Sequence, residues 1–124
     1  MTDWTGNELD KIGTAEELRI ACLRQDGTLR NPLTIWVVRL GSDLYVRSAN
    51  GRASGWFRAA QVRHQGHIQA GGIDKDVTFV DTGADIDAQL DQAYRAKYGH
   101  YAAEYFDPIV SAAARAATLR LVPR

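Results

Sequence analysis

The sequence has little cysteine and no long apolar segment. Its one cysteine, Cys22, cannot form an internal disulfide bond, which favours a reducing compartment. No basic and then apolar leader follows Met1, and no apolar run approaches the roughly 20 residues that span a bilayer. We therefore predict a cytoplasmic protein without a membrane anchor. A chain of 124 residues can bury a genuine core, but it has no room for a second domain.

An excess of either charge is also missing. Lysine and arginine together number 15, as do aspartate and glutamate, so the formal net charge is zero. Because proteins that coat nucleic acid usually carry a positive excess, we do not expect nucleic acid as a partner. The charges are nevertheless unevenly placed, since 44–73 contain no acid and carry +4, whereas 74–107 carry −5. This separation predicts either two solvated faces or a local anion site in the basic stretch.

Common catalytic and metal-binding motifs do not occur in the sequence. There is no glycine-rich dinucleotide fingerprint, no phosphate loop and no nucleophile elbow. His64 and His67 are three residues apart on a predicted strand, so their rings would point to opposite faces, and no suitably spaced third ligand accompanies them. We therefore predict no metal site and assign no catalytic residue.

The hydrophobic pattern predicts an α+β fold with a small antiparallel split β-barrel of about six strands and short helices. The run 33–40 carries apolar residues on both faces, which favours a central or doubly covered strand. We expect one domain, 1–124, made of a helical segment 1–16, a barrel meander 17–83, a helical insertion 84–115 and a closing strand 116–124. The predicted strands are 17–24, 33–40, 44–48, 67–70, 76–80 and 118–122, and the main helices are 5–13, 56–61, 85–98 and 107–114.

The loop after the second hairpin strand is the best candidate site. Its Arg47 and Arg52 could bind an anion, while Ser48, Ser54 and the backbone amides of Asn50 and Gly51 could donate hydrogen bonds near a helix start. The alternative is an ordinary basic surface loop anchored in the core by Trp56 and Phe57.

Four short segments carry a resemblance to a known superfamily. They are Ile35-Trp-Val-Val, Leu44-Tyr-Val-Arg-Ser, Asn50-Gly-Arg and Trp56-Phe-Arg, and they resemble the FMN-binding split-barrel superfamily, which includes pyridoxamine 5'-phosphate oxidase and deazaflavin-dependent nitroreductases. The whole chain more closely resembles an uncharacterised bacterial branch, a domain of unknown function. That resemblance also rests on Gly71-Gly, Asp76-Val-Thr-Phe, Ala93-Tyr-Arg-Ala-Lys-Tyr-Gly and Thr118-Leu-Arg-Leu.

The resemblance implies a cofactor site with its phosphate at the strand end and its ring along the preceding strand. The residues it implies, together with those of the loop, are Ile35, Trp36, Val37, Arg47, Ser48, Asn50, Gly51, Arg52, Trp56 and Arg58. It also implies a homodimer with two symmetric clefts. Two departures stand against it: Ala59 and Ala60 replace Asn-Leu of the deazaflavin branch, and 64–70 lack the Arg-Gln-Val strand of the oxidase.

The resulting functional prediction is an FMN- or deazaflavin-binding oxidoreductase that acts on a small organic substrate. A noncatalytic binding module that keeps the barrel and dimer but binds no flavin is the alternative. The basic stretch with its aromatic residues also permits contact with single-stranded nucleic acid, which the zero net charge disfavours.

Overall fold

The computed structural model describes residues 3–124, which form one antiparallel sheet of seven strands surrounded by short helices. The strands are β1 (Leu18–Cys22), β2 (Leu33–Ile35), β3 (Val38–Leu40), β4 (Asp43–Arg47), β5 (Gln65–Ala70), β6 (Ile73–Asp81) and β7 (Thr118–Pro123). The α-helices are α1 (Gly6–Thr14), α2 (Gly55–Arg63), α3 (Asp87–Tyr98), α4 (Ala103–Phe106) and α5 (Ala112–Arg115). Three 3₁₀ turns, Gly51–Ala53, Ala84–Ile86 and Asp107–Val110, precede or join these helices. The predicted α+β class is confirmed.

The strand order shows that the sheet curls into a half-barrel. Neighbouring strands follow the order β2-β1-β5-β6-β7-β4-β3, so β2 and β3 lie at the two opposite edges. Only Trp36 and Val37 separate these two strands in the chain. The edges of a flat seven-stranded sheet would be about 29 Å apart, whereas the three Cα steps from Ile35 to Val38 reach at most about 11 Å. The two edges therefore meet at this crossing, and the predicted split barrel is confirmed.

The crossing also corrects the prediction for 33–40. The run is not one central strand: β2 pairs with β1, with Leu18 opposite Ile35, and β3 pairs with β4, with Val38 opposite Tyr45. The number of strands is therefore seven rather than about six. The apolar residues of 33–40 lie on both faces because this segment passes from one core to another. Val37 packs inside the barrel, whereas Val38 packs in a second cluster outside it.

Two hydrophobic cores lie on the two faces of β4. Leu44 and Val46 point into the barrel, where α2 adds Trp56 and Phe57 to the packing. On the other face, Tyr45 joins an outer cluster beneath α3 that includes Leu90, Tyr94, Tyr98, Phe106 and Ile109. Side chains alternate between the faces of a strand, so Arg47, two residues beyond Tyr45, faces the outer cluster. The direction of the Arg47 side chain therefore decides which groups this residue can contact.

Short-range sequence signals predict the positions of the helices, but some helix ends in the structure differ from the predicted ones. The Thr5 side chain accepts from Glu8 N and the Glu8 carboxylate accepts from Thr5 N, as the sequence predicts for α1. The predicted helix 107–114 is divided, because the extended backbone of Ser111 ends the 3₁₀ turn and its side chain caps Ala114 N. His64 does not lie on a strand, since its left-handed backbone, with φ 56°, ends α2.

Candidate functional site

A cavity of about 370 Å³ opens between the β2 edge and the start of α2. We call it the β2–α2 cavity. The end of β4, the loop that follows it and the segment around α4 complete its wall. It is lined by Leu33, Thr34, Ile35, Trp36, Arg47, Ser48, Ala49, Asn50, Ser54, Trp56, Tyr105 and Ile109.

The loop between β4 and α2 keeps its shape through short-range backbone contacts. Gly51 N donates to Ser48 O at 2.9 Å, and Gly51 has a left-handed φ of 80° that favours glycine. A Cβ on Gly51 would also lie 3.1 Å from the Ala113 side chain, so α5 packs closely on this turn. The chain then enters α2 at Gly55. The turn thus brings the end of β4 and the start of α2 to the same cavity.

Ser48 lines the cavity and carries a buried hydroxyl group without a hydrogen-bond partner in the described chain. The residue is 1% exposed, and its Oγ has no hydrogen-bond partner within residues 3–124. Buried hydroxyl groups are normally paired, because an unpaired one loses its hydrogen bonds to water without replacement. Nearby, Ser54 precedes α2 without capping it through its side chain. The first amides of a helix have no partner within the helix and carry partial positive charge, so this corner favours an anion.

Arg47 contributes to the wall, but its charge is already compensated. Its fully buried guanidinium lies 2.6 Å from Asp91 Oδ1 through Nη1 and 3.7 Å from Asp87 Oδ1 through Nη2. It also donates to Thr118 Oγ1 at 3.1 Å, Ile109 O at 3.1 Å and Asp87 O at 3.3 Å. Four of its five N–H groups are therefore used inside the protein.

These contacts give Arg47 a structural role between β4, β7 and α3. Burial acts to raise the pKa of Asp91, but hydrogen bonds from Arg115 and Arg47 outweigh it and hold that pKa below its ordinary value. The carboxylate therefore stays ionised beside the guanidinium. The binding of a ligand by Arg47 remains a prediction.

The other predicted arginines point away from the cavity. Arg52 Nη1 donates to Ala116 O at 3.0 Å, and its guanidinium lies 5.2 Å from the centre of the Phe57 ring. Arg58 is exposed on α2 and is outside the cavity lining. The three predicted arginines therefore do not gather at one point, because Arg47 ends β4, Arg52 lies in a 3₁₀ turn and Arg58 lies on α2, and these elements direct their side chains differently.

The structure brings six of the ten predicted site residues to the cavity. These six are Ile35, Trp36, Arg47, Ser48, Asn50 and Trp56. Val37, Gly51, Arg52 and Arg58 are not part of its lining. Val37 is fully buried in the barrel core, because the crossing between β2 and β3 turns it inward.

Arg30 is a cation near the start of α2 that the sequence did not predict as part of the site. It lies in the connection between β1 and β2, and its Nη1 donates to Gly55 O at 2.7 Å in the first turn of α2. Arg30 and Gly55 are 25 residues apart in the chain. A cation in that connection was visible in the sequence, but nothing local indicates that the connection folds against the start of α2.

An aromatic stack supports the crossing at Trp36. The Trp36 ring lies parallel to that of Tyr98, with ring centres 4.2 Å apart and an angle of 3°. The Tyr98 hydroxyl donates to Glu16 O at 2.9 Å, lies 3.1 Å from Val37 O, and accepts from Val37 N at 3.2 Å. Burial raises the pKa of Tyr98 well above its ordinary value, so the hydroxyl remains protonated. The stack therefore fixes a flat apolar surface along the cavity wall.

The histidines do not form a metal centre in the part of the chain that the structure describes. No group of three potential His, Cys, Asp or Glu ligands occurs there. His67 instead lies between Asp74 and Asp76 on the β5–β6 hairpin, with Nδ1 2.7 Å from Asp76 Oδ1. Burial acts to lower the pKa of His67, but its hydrogen bonds to the two carboxylates outweigh this effect and raise the pKa.

A family model covers almost all of the chain. Residues 8–121 match the model described as "Uncharacterized protein conserved in bacteria (DUF2255)". The chain belongs to this family. The predicted resemblance to a bacterial domain of unknown function is therefore confirmed for this DUF2255 protein. No curated protein matches it, and none of its described helices has the length and apolar character to cross a membrane.

Solved structures share the fold of this DUF2255 protein at low sequence identity. HutZ, a heme storage protein from Vibrio cholerae, is 16% identical with a TM-score of 0.66, and the match covers 96% of this chain and 89% of HutZ. An F420 reductase is 15% identical with a TM-score of 0.60, and the match covers 94% of this chain and 90% of the reductase. An FAD-binding protein from Mesorhizobium loti is 17% identical with a TM-score of 0.57, and the match covers 97% of this chain and 88% of that protein. These likenesses show the fold.

Proposed function

We propose that this protein binds a phosphate-bearing flavin-type cofactor in the β2–α2 cavity. The single observation that carries the proposal is that Ser48, whose buried hydroxyl has no partner within residues 3–124, lines the cavity together with Ser54 and Trp56 at the start of α2. A phosphate there would accept from Ser48 and from the first amides of α2. The likeness in fold to an F420 reductase and an FAD-binding protein supports this class of cofactor.

The cavity fits such a group in shape as well as in polarity. A volume of about 370 Å³ is near the lower end of small-molecule sites. Thr34, Ile35 and Trp36 line one wall along which a planar ring could lie, and Trp36 is held by its stack on Tyr98. These residues would orient the ring and exclude water from one of its faces.

We propose FMN as the ligand, with a deazaflavin as the alternative, and oxidoreductase activity on a small organic substrate in the cytoplasm. When bound, a flavin supplies the hydride and electron transfer, so the chain needs no nucleophile or general base of its own. The protein's part is to hold the phosphate, position the ring and limit access of water.

A second copy of this chain would complete the site. Leu33 and Tyr105 stand at the rim of the cavity with 46% and 65% of their surface exposed. Exposed apolar side chains at the mouth of an open cavity favour an interface, and a symmetric pair would form two equivalent clefts. We therefore propose a homodimer. Light scattering should give twice the mass of the chain, and Tyr105→Asp should reduce it to that of a single chain.

The test of the cofactor proposal uses Ser48→Ala with Ser42→Ala as its matched control. Ser42 is exposed in the turn between β3 and β4 and is outside the cavity. Removing one hydrogen bond to a charged phosphate should weaken FMN binding about 10- to 100-fold, whereas Ser42→Ala should leave it unchanged. Because Ser48 Oγ has no hydrogen-bond partner within residues 3–124, Ser48→Ala should fold with undiminished stability.

Absorbance of the protein as isolated and fluorescence titration with FMN and a deazaflavin provide the measurements. A colourless preparation that binds neither compound would reject the flavin proposal. It would favour the noncatalytic binding module, an alternative supported by the internal ion pairing of Arg47 and by Ala59 and Ala60 in α2. Equal FMN affinity of Ser48→Ala and wild type would place the phosphate elsewhere.

A further inference from the structure

A second cavity lies next to the first, between β1 and the start of α2. This β1–α2 cavity has a volume of about 200 Å³ and shares Leu33 and Trp56 with the β2–α2 cavity. Its other lining residues are Ile20, Cys22, Arg24, Arg30 and Asn31. The two cavities are therefore neighbours separated by shared side chains, and their linings differ in charge.

Two arginines line this small volume without a direct ion pair in the described chain, although the charge of Arg24 also acts on Asp26. None of the ion pairs formed within residues 3–124 includes Arg24 or Arg30. Each is instead tethered through Nη1: Arg24 donates to Leu29 O at 2.9 Å and to Thr28 Oγ1 at 3.3 Å, and Arg30 donates to Gly55 O at 2.7 Å. These tethers fix the guanidinium groups and leave their other N–H groups for a ligand.

Most of the remaining lining of the cavity is apolar. Ile20 and Leu33 contribute aliphatic surface, and the Cys22 thiol donates to Trp56 O at 3.4 Å. Burial raises the pKa of Cys22 to about 11, although the charge of Arg30 opposes that shift. The thiol is therefore a neutral part of the wall and not a nucleophile. A ligand that suits both the arginines and the apolar lining carries an oxyanion and a short apolar stem.

We propose that the β1–α2 cavity binds the carboxylate of a small organic acid through Arg24, Arg30 and Asn31. The planar guanidinium groups match the two oxygens of a carboxylate, and the Asn31 amide can add a donor. The volume accommodates only a few heavy atoms beyond the carboxylate. That this acid is the substrate rests on the proposed function, since the acid would then lie directly beside the cofactor.

Two-dimensional NMR titration with malonate tests the carboxylate site in the protein without added cofactor. The amide signals of Cys22 and Asn31 should shift with saturation in wild type. Arg30→Gln and Arg24→Gln should each weaken malonate binding at least tenfold. Arg63→Gln is the matched control, because Arg63 also donates through Nη1 to a carbonyl of the same connection, Gln25 O at 3.1 Å, but is outside the cavity lining.

Substitution of Asn31 tests the same site without changing either arginine or its hydrogen bonds. Asn31→Asp changes almost nothing in volume, and Asn31 is exposed, so the fold should persist. Its new carboxylate should repel malonate and reduce binding at least tenfold, whereas Asn31→Ala should reduce it less. Equal malonate affinity in wild type, Arg30→Gln and Asn31→Asp would overturn the proposal.

Competition with FMN separates a carboxylate subsite from a site for the cofactor's own phosphate. Malonate affinity that is unchanged by saturating FMN supports two separate sites. Displacement of malonate by FMN would overturn the proposal, because the arginines would then hold the cofactor. If FMN does not bind while malonate binding still depends on Arg24, Arg30 and Asn31, the flavin proposal fails and the carboxylate site stands.

Discussion

Replacement of Asp91 by asparagine tests whether Arg47 is primarily a structural residue. The substitution preserves the size of the side chain and one oxygen acceptor. It removes the negative charge that lies 2.6 Å from Arg47 Nη1 and that also pairs with Arg115. Arg47 itself stays in place, with a fully buried side chain. The variant therefore leaves a buried guanidinium with less compensating charge.

The expected loss of stability follows from the burial of the pair. Removing one partner of a buried ion pair usually costs about 3–5 kcal/mol, because the remaining charge cannot be solvated. The amide oxygen of the new side chain would still accept a hydrogen bond, and the Asp87 carboxylate remains 3.7 Å from Arg47 Nη2. We therefore expect the lower end, about 3 kcal/mol, which is a large part of the roughly 5–15 kcal/mol that stabilises a typical domain.

Urea unfolding of wild type, Asp91→Asn and Asp107→Asn measures this loss. With a slope near 2 kcal/mol per molar urea, the midpoint of Asp91→Asn should fall by about 1.5 M. Asp107→Asn is the control, because Asp107 is exposed and takes part in no ion pair of the described chain. Its midpoint should stay within about 0.3 M of wild type, as expected of an exposed surface change.

The pH dependence provides a second readout of the same interaction. The folded protein lowers the pKa of Asp91, so the unfolded chain binds the extra proton first as the pH falls. The contribution of Asp91 is therefore present above the ordinary aspartate pKa and is lost as the pH falls through the lower folded value. Wild type and Asp91→Asn should converge in stability below that value. Unchanged stability of Asp91→Asn at pH 7, combined with weaker FMN binding, would refute a structural role for Arg47.

Two further predictions concern stability. Gly66→Ala should lose about 1–3 kcal/mol of unfolding free energy, because the new Cβ would lie 2.4 Å from Ala21 O and 2.8 Å from the Phe79 ring. Gly6→Ala, with open space at its Cβ, is the control in the same denaturation assay, and equal stability of the two variants would contradict the close packing. Burial lowers the pKa of Lys97 to about 8, so the unfolded chain binds more protons between that pH and the ordinary lysine pKa of 10.5. The stability of wild type relative to Lys97→Met should consequently rise from pH 8 to pH 10.5, and a difference independent of pH would exclude this effect.

Short-range signals explain the parts of the fold that sequence reasoning predicts. The capping box of α1 involves Thr5 and Glu8 only, and the turn at Gly51 depends on neighbouring backbone groups. The alternation along β4 likewise follows from the geometry of one strand. The segment from β4 to α2 therefore lies where the sequence predicts it, and Ser48, Asn50 and Trp56 line one cavity.

Long-range pairing explains what the sequence reasoning missed. Arg47 was predicted to hold an anion, but Asp91, 44 residues away, reaches it from α3. Arg30 reaches the start of α2 across 25 residues. Charge patterns along the chain do not indicate which opposite charges or carbonyl groups will meet, because that depends on how strands and helices pack.

The amino-acid sequence alone determined the strand and helix types, the turn chemistry of the loop after β4 and the apolar content of the core, since each depends on residues a few positions apart. The tertiary structure decided that 33–40 supplies both edges of the sheet and joins them at Trp36 and Val37. It also decided which arginines remain available to a ligand: closing the barrel placed Arg47 against α3 and left Arg24 and Arg30 beside a cavity.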